Sequence, residues 1–130
     1  MAGETILVVD DVKIECVALK KELREAGYEC ESALSGKEAV EKCKHKKYDL
    51  VYVDMYMPDI DGIQTCKAIK KVIPSAIVVF MTGKVDKDTI YKEIDFMEKG
   101  GKVYYLYKPF NEGEILEVTK KALAGCEKSC

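Results

Sequence analysis

Short apolar runs alternate with amphipathic stretches along the whole of this chain. Five apolar or alternating runs bounded by turn residues predict β-strands. They cover residues 5–9, 28–33, 50–53, 76–81 and 103–107. Between and after them, apolar side chains recur at the three- and four-residue spacing of helices with one buried face. These stretches predict helices over residues 12–26, 62–73, 86–99 and 112–125, and another that begins after Ser35.

Residues with strong capping preferences stand where these helices begin and end. Ser35 and Glu38 have the spacing of a capping box, so Ser35 is the predicted cap of the second helix. Gly27 and Pro74 follow the first and third helices and are typical helix stops. Strands that alternate with helices need crossover connections, which make the sheet parallel and cover both of its faces. The pattern therefore predicts a doubly wound five-stranded α/β fold.

Length and charge restrict the classes of protein to which the chain can belong. Its 130 residues suit one domain, residues 1–130. We expect no output domain, because the last predicted helix ends almost at the C-terminus. The net charge of -2 and a single arginine, Arg24, argue against direct binding to nucleic acid. No apolar run is long enough to span a bilayer, and residues 1–4 lack the basic start of an export signal. We therefore expect a cytoplasmic protein without membrane contact.

Six cysteines are scattered singly, without a CxxC pair. Cys16, Cys43 and Cys66 fall on the apolar stripes of predicted helices, where a reduced thiol acts as a small hydrophobic side chain. Cys126 and Cys130 lie one turn apart if the last helix continues, so a weak metal or redox site stays open there.

Four of the five predicted strands are followed by polar residues able to do chemistry. These are Asp10 with Asp11, then Asp54, Thr82 and Lys108. The carboxyl ends of parallel strands share one edge of the sheet, so these side chains are expected to meet in one crevice. Clustered carboxylates need a cation, and oxygen ligands of this kind suit Mg²⁺. The ammonium of Lys108 is then placed to bind an anion beside the metal.

The motifs around these residues resemble the receiver domain of two-component response regulators. The resemblance covers nearly the whole chain and follows the order of motifs in that family. It rests on ILVVDD at residues 6–11, DLVYVDMYMPDIDG at 49–62, MTG at 81–83 and KPF at 108–110. It implies a flavodoxin-like (CheY-like) fold and a signalling role in phosphorelays.

The resemblance also assigns residues to the site. It implies that Asp54 accepts a phosphoryl group from a histidine kinase or a histidine phosphotransferase. It implies that Asp10, Asp11, Asp54 and the backbone carbonyl of Tyr56 bind Mg²⁺. Because the reaction is the protein's own phosphorylation and dephosphorylation, the family member is a switch rather than an enzyme.

Further implications concern signalling. Thr82 and Lys108 are implied to contact the phosphoryl group, and the peptide bond between Lys108 and Pro109 is implied to be cis. Tyr105 is implied to turn inward on phosphorylation. That motion reshapes the face formed by the predicted helix 86–99, the last strand and the last helix, where a downstream protein binds.

Two features depart from the family pattern. Lys108 lies 26 positions after Thr82, several more than the family usually has, which predicts a helix or loops longer by about a turn. Lys102 also stands where the family usually has alanine. Tyr56 and Lys84 occupy positions whose side chains flank the phosphoryl site in the family. They either tune the lifetime of the phosphate or are exposed loop residues.

Other functions of similar folds make different demands on the sequence. An aspartyl-phosphate phosphotransferase or phosphatase needs a general acid two residues after the nucleophile, where this chain has Tyr56. A nucleotide-binding module needs a glycine-rich loop after the first strand, where this chain has DDVK. A receiver domain cut from a larger regulator or hybrid kinase stays open as an alternative, as does the choice between chemotaxis and phosphorelay.

Overall fold

The computed structural model describes residues 3–83, 104–108 and 111–128, with the backbone alone for residues 104, 105, 107 and 125–128. Five strands form one parallel sheet in the order β2-β1-β3-β4-β5. The predicted doubly wound α/β fold is therefore confirmed. The strands are β1 (Thr5–Val9), β2 (Glu29–Ala33), β3 (Leu50–Asp54), β4 (Ile77–Thr82) and β5 (Tyr104–Tyr107).

Helices cover both faces of the sheet. The described helices are α1 (Lys13–Glu25), α2 (Gly36–His45), α3 (Gly62–Val72) and α4 (Glu114–Lys128). Side chains of α2 and α3 share one buried cluster, and side chains of α1 and α4 share the other. Among the described residues, no helix combines the length and the apolar content needed to cross a bilayer.

The central strands are buried on both faces, which explains their continuous apolar sequence. Leu7 and Val9 of β1 face the cluster made with α2 and α3, whereas Ile6 and Val8 face the one made with α1 and α4. All five residues of β3 are buried, including Asp54 at its end. A carboxylate in that position is costly unless it has partners, so the end of β3 marks the functional edge of the sheet.

Element boundaries lie within three residues of the predicted ones. The last helix was predicted over 112–125, but α4 begins at Glu114 because Gly113 has a left-handed φ of 91°. The same helix runs through Gly125 to Lys128, since one interior glycine costs only about 1 kcal/mol. Strand β4 includes Thr82 rather than ending before it.

The predicted cap of α2 is confirmed. The hydroxyl of Ser35 accepts a hydrogen bond from the Glu38 N–H at 3.1 Å. The Glu38 carboxylate accepts in return from the N–H of Leu34 at 3.0 Å, one residue before the capping serine. The box thus fixes both the start of α2 and the turn that leads from β2 into it.

Cys16, Cys43 and Cys66 are buried and free, as predicted for small apolar side chains. Burial raises the pKa of each of these thiols to about 11, so they are unreactive at neutral pH. The pair Cys126 and Cys130 lies outside the described side chains. The predicted helix over 86–99 and Lys84 also lie outside the described residues, as do Lys102 and the peptide bond to Pro109.

Candidate functional site

Three strands deliver the charged groups of the site to the carboxyl edge of the sheet. Asp10 follows β1, Asp54 ends β3, and Lys108 follows β5. Strands β1 and β3 are neighbours, and the chain turns in opposite directions from them, so Asp10 and Asp54 lie at the topological switch point. Ligands of open α/β sheets bind in the crevice at this point.

The ammonium of Lys108 joins the two strand-end carboxylates. Its Nζ lies 2.9 Å from Asp10 Oδ2 and 3.0 Å from Asp54 Oδ2. A third carboxylate oxygen, Glu15 Oε2 on the first turn of α1, lies 2.8 Å from the same nitrogen. The three N–H donors of the ammonium are therefore matched by three acidic side chains.

The other oxygen of each aspartate is held by the backbone. Asp10 Oδ1 accepts from the N–H of Val12 at 2.9 Å, and Asp54 Oδ1 accepts from the N–H of Tyr56 at 3.1 Å. Each aspartate thus accepts a hydrogen bond from the backbone N–H two residues later, as aspartates do in turns. One oxygen of each carboxylate is fixed in this way, while the other points into the crevice toward Lys108.

The pKa values in the crevice reflect burial and the crowding of negative charge. Burial raises the pKa of Asp54 above its ordinary value, although the Tyr56 N–H and Lys108 act against that rise. Burial also acts to raise the pKa of Asp10, but hydrogen bonds with Glu15, Val12 and Lys108 outweigh it and lower the pKa. The hydrogen bond with Asp10 raises the pKa of Glu15. Burial alone would lower the pKa of Lys108, yet its acidic partners raise it.

A divalent cation suits this donor set. Oxygen atoms of Asp10, Glu15 and Asp54 lie within 4.8 Å of one another. Three carboxylates and one ammonium leave excess negative charge when all are ionised, and the Asp10 charge adds to burial in raising the pKa of Asp54. Hard oxygen donors with excess negative charge are the environment that Mg²⁺ prefers.

The other predicted site residues are placed around this cluster. Asp11 is exposed and contributes no atom to the three-carboxylate cluster. Thr82 is buried at the end of β4, and its carbonyl accepts from the Lys108 N–H at 2.9 Å. Tyr56 is 38% exposed on the loop after β3. The backbone of Tyr105 lies in β5, but its side chain is outside the described part of the chain.

Glu15 is a site residue that was not predicted from the sequence. The strand-end rule selects residues that directly follow a strand, whereas Glu15 lies on α1 next to Cys16 of the apolar stripe. One signal was present, because the first turn of a helix that follows β1 starts at the carboxyl edge of the sheet. An acidic residue there is placed to reach the crevice, and it also interacts favourably with the helix dipole.

Close packing of α3 against the end of β3 fixes the backbone at Asp54. A Cβ atom added to Gly62 would lie 2.8 Å from the carbonyl oxygen of Asp54 and 2.8 Å from the Cα of Met55. The N–H of Gly62 also donates to the carbonyl of Met55 at 3.0 Å. Only glycine permits this approach without moving the backbone that carries the Asp54 carboxylate.

Gly62→Ala is expected to lower the free energy of unfolding by about 1–3 kcal/mol, because its Cβ overlaps backbone atoms that cannot rotate away. Gln64→Ala, an exposed change on the same helix, is the matched control. Urea denaturation of both variants provides the comparison. Equal stability of Gly62→Ala and the wild type would show that α3 moves freely relative to β3.

The loop after β3 is fastened to the start of α2. Asp59 Oδ2 accepts from the N–H of Lys37 at 2.9 Å, and Oδ1 accepts from the N–H of Gly36 at 3.3 Å. A carboxylate at a helix N-terminus satisfies N–H groups that have no partner within the helix. This contact restrains the loop that begins directly after Asp54.

Asp54→Asn is expected to raise the free energy of unfolding of the metal-free protein at about pH 7. Because burial raises the pKa of Asp54 above 3.8, ionised Asp54 is less favourable in the folded chain than in the unfolded one. Wild-type stability therefore falls as the pH rises through the folded-state pKa. The variant does not lose stability in this way, because asparagine does not ionise. Denaturation in a chelator at several pH values should show a higher free energy of unfolding for the variant at neutral pH. This difference should disappear below pH 3.8. A variant less stable than the wild type at neutral pH would contradict this sign.

Comparison with known proteins gives consistent matches. The family model for the response regulator receiver domain matches residues 6–120. The chain is 39% identical over 126 residues to the transcriptional regulatory protein ZraR of Klebsiella oxytoca, covering 95% of this chain and 28% of that protein. It is 33% identical over 120 residues to chemotaxis protein CheY of Thermotoga maritima, covering 92% and 97%. A CheY-like receiver domain structure from Methanospirillum hungatei JF-1 matches with a TM-score of 0.85, 27% identity and 98% coverage of each chain.

Proposed function

This chain belongs to the response regulator receiver domain family, and on that premise we propose that Asp54 is its phosphoacceptor. Receiver domains are the phosphoacceptor switches of two-component systems. The observation that carries the assignment is the position of Asp54, a buried carboxylate at the end of β3 whose outer oxygen lies 3.0 Å from Lys108. A carboxylate held beside an ammonium in a crevice is suited to accept a group that brings further negative charge.

The proposed reaction moves a phosphoryl group from a phosphohistidine to Asp54. A carboxylate oxygen of Asp54 attacks phosphorus, the new O–P bond forms, and the P–N bond breaks with its electron pair leaving on the imidazole nitrogen. The product is an acyl phosphate. Attack by water on phosphorus later breaks the bond to the carboxylate, releases inorganic phosphate and restores Asp54. The protein thus acts on itself and turns over no separate substrate.

Asp10, Asp11, Asp54 and the backbone carbonyl of Tyr56 are the proposed Mg²⁺ ligands. When bound, the cation would offset the negative charge that builds up on the phosphoryl oxygens. The oxygen donors of Asp10 and Asp54 and the excess negative charge of the crevice support a hard divalent ion. Asp11 and the Tyr56 carbonyl are included in this ligand set on family resemblance.

Lys108 and Thr82 are the proposed contacts to the phosphoryl group. The ammonium of Lys108 would bind a phosphoryl oxygen, since it already lies within hydrogen-bond distance of Asp54. Thr82 is buried at the end of the adjacent strand β4, at the same edge of the sheet. Tyr105 on β5, three residues before Lys108, is the proposed switch residue on family resemblance.

Receiver domains work with histidine kinases and downstream effectors, and we place this chain in that scheme. We propose that a sensor histidine kinase or a histidine phosphotransferase is the phosphoryl donor. A protein that binds the face of predicted helix 86–99, β5 and α4 is the proposed target. The chain spans about a quarter of the length of ZraR and nearly all of CheY, so relatives of both lengths carry this domain.

Trapping the phosphorylated residue tests this proposal. The protein is incubated with acetyl phosphate and Mg²⁺, the acyl phosphate is reduced with borohydride, and the modified residue is located by peptide mass spectrometry. We expect reduction at Asp54 alone. Modification at another acidic residue would move the phosphoacceptor elsewhere.

A further inference from the structure

Glu15 is the third partner of Lys108 and has no place in the proposed phosphoryl chemistry. Its Oε2 lies 2.8 Å from Nζ, nearer than either aspartate oxygen. Glu15 comes from the first turn of α1, and its side chain is 36% exposed, whereas those of Asp10 and Asp54 are 0% and 10% exposed. It therefore holds Lys108 from the solvent side of the crevice.

Phosphorylation of Asp54 makes its phosphoryl oxygens compete with the other partners of Lys108. An ammonium has three N–H donors, and the unphosphorylated crevice already pairs them with Asp10, Glu15 and Asp54. A phosphoryl group brings three acceptor oxygens and carries roughly 1.5 to 2 negative charges, which replace the single charge of the Asp54 carboxylate. The donor that pairs with Asp54 can pass to one of those oxygens, but Lys108 can bind a second one only by giving up Asp10 or Glu15.

Glu15 is the partner that opposes the phosphoryl group. Asp10 is buried and also held by the Val12 N–H, so it stays beside Lys108. Glu15 lacks such a backbone anchor among the contacts of the described residues, and its oxygen lies within 4.8 Å of Asp54 and Asp10 oxygens. While it remains paired with Lys108, it places a carboxylate next to the incoming negative charge.

We propose that Glu15 is a positioning residue that competes with the phosphoryl group for Lys108 and thereby shortens the phosphorylated state. The inference rests on the proposed function, because it requires a phosphoryl group on Asp54. Pairing with Glu15 stabilises the unphosphorylated arrangement, and its disruption is a cost of forming the phosphorylated one. Removing Glu15 therefore favours the phosphorylated arrangement.

Glu15→Gln tests this competition directly. The variant and the wild type are titrated with beryllofluoride at saturating Mg²⁺, and the lifetime of the acyl phosphate is followed after acetyl phosphate is removed. We expect roughly two- to fivefold tighter beryllofluoride binding and a similarly longer lifetime, the range expected for loss of one partly exposed charge contact. Glu25→Gln, which makes the same change at the exposed end of α1, is expected to behave as the wild type.

Two further measurements isolate the mechanism. Glu15→Asp keeps the charge but withdraws it from Lys108 by one methylene. Its beryllofluoride affinity and acyl phosphate lifetime should therefore change in the same direction as those of Glu15→Gln. The side-chain ¹⁵N signal of Lys108 in metal-free protein, identified by its loss in Lys108→Met, should move in Glu15→Gln and stay in place in Glu25→Gln. A change in folding stability alone would leave that signal where it is.

The possible failures are distinct. If the wild type binds no beryllofluoride, or is labelled at a residue other than Asp54, the proposed function fails. If the wild type behaves as proposed but Glu15→Gln is unchanged, the competition is absent and this inference is wrong. A large loss of Mg²⁺ affinity in Glu15→Gln, with weaker beryllofluoride binding, would make Glu15 a cation ligand and also overturn it.

Discussion

Asp54→Asn is expected to reduce phosphorylation by acetyl phosphate in the presence of Mg²⁺ to background. An amide nitrogen and oxygen replace the carboxylate, so the variant has no anionic nucleophile there and cannot form an acyl phosphate. The asparagine side chain keeps the shape of the site and can still accept from the Tyr56 N–H, so the fold stays intact. Incorporation of phosphate measured by mass spectrometry of the intact protein gives the result.

The control for this experiment is at the other end of the same strand. Asp49→Asn removes an exposed carboxylate just before β3, where Asp49 Oδ2 accepts from the Thr5 N–H. It should be phosphorylated at the wild-type rate, because the amino end of the strand lies away from the crevice. Full labelling of Asp54→Asn would place the acceptor on another residue.

Lys108→Met is expected to slow phosphorylation by about 100-fold, the usual cost of losing one donor to developing charge. It should also destabilise the metal-free protein at neutral pH by on the order of 3 kcal/mol, because buried carboxylates lose their shared cation. Added Mg²⁺ should restore most of that stability by supplying charge of the same sign. Thermal unfolding with and without Mg²⁺ measures the second effect, and labelling with acetyl phosphate measures the first.

An exposed lysine provides the comparison for this variant. Lys120→Met on α4 removes the same charge far from the acidic cluster, so it should leave both the rate and the response to Mg²⁺ unchanged. A Lys108→Met protein that is phosphorylated as fast as the wild type would remove Lys108 from the proposed chemistry. Loss of stability that Mg²⁺ does not restore would contradict the electrostatic explanation.

The strand-end rule explains why much of the site could be predicted from the sequence. Asp10, Asp54 and Lys108 directly follow or end strands, and parallel strands align their ends whatever the details of packing. Their meeting in one crevice was therefore predictable, and the structure places Lys108 Nζ within 3.0 Å of both carboxylates. The burial of Cys16 and the cap at Ser35 were predictable for a similar reason, because each depends on local spacing.

Features that depend on packing could not be read from the same patterns. The contact of Glu15 with Lys108 depends on the rotation of α1 about its axis and on a side-chain rotamer. The close approach of Gly62 to β3 depends on the distance between a helix and a strand. The sequence could not show that Asp10 is buried while Asp11 is exposed, since this depends on where the chain leaves the sheet.

The predicted signalling face stays a prediction. The helix over 86–99, Lys84 and the side chain of Tyr105 lie outside the described part of the chain. The spacing of 26 residues between Thr82 and Lys108 is longer than the family usually has, which predicts a longer helix or longer loops in this face. Experiments on the target should therefore start from the protein itself rather than from partners of its relatives.

The contacts of the Lys108 ammonium with the acidic side chains depend on the order in which the chain folds. Lys108 is 98, 93 and 54 residues from its partners Asp10, Glu15 and Asp54, and β4 lies between its strand and theirs. Contacts of such long range form only after the intervening chain is in place. On the ribosome, a partly synthesised chain has β3 and Asp54 before it has the cation that balances the crevice. The proposed phosphoacceptor thus acquires its cationic partner only when β5 joins the sheet.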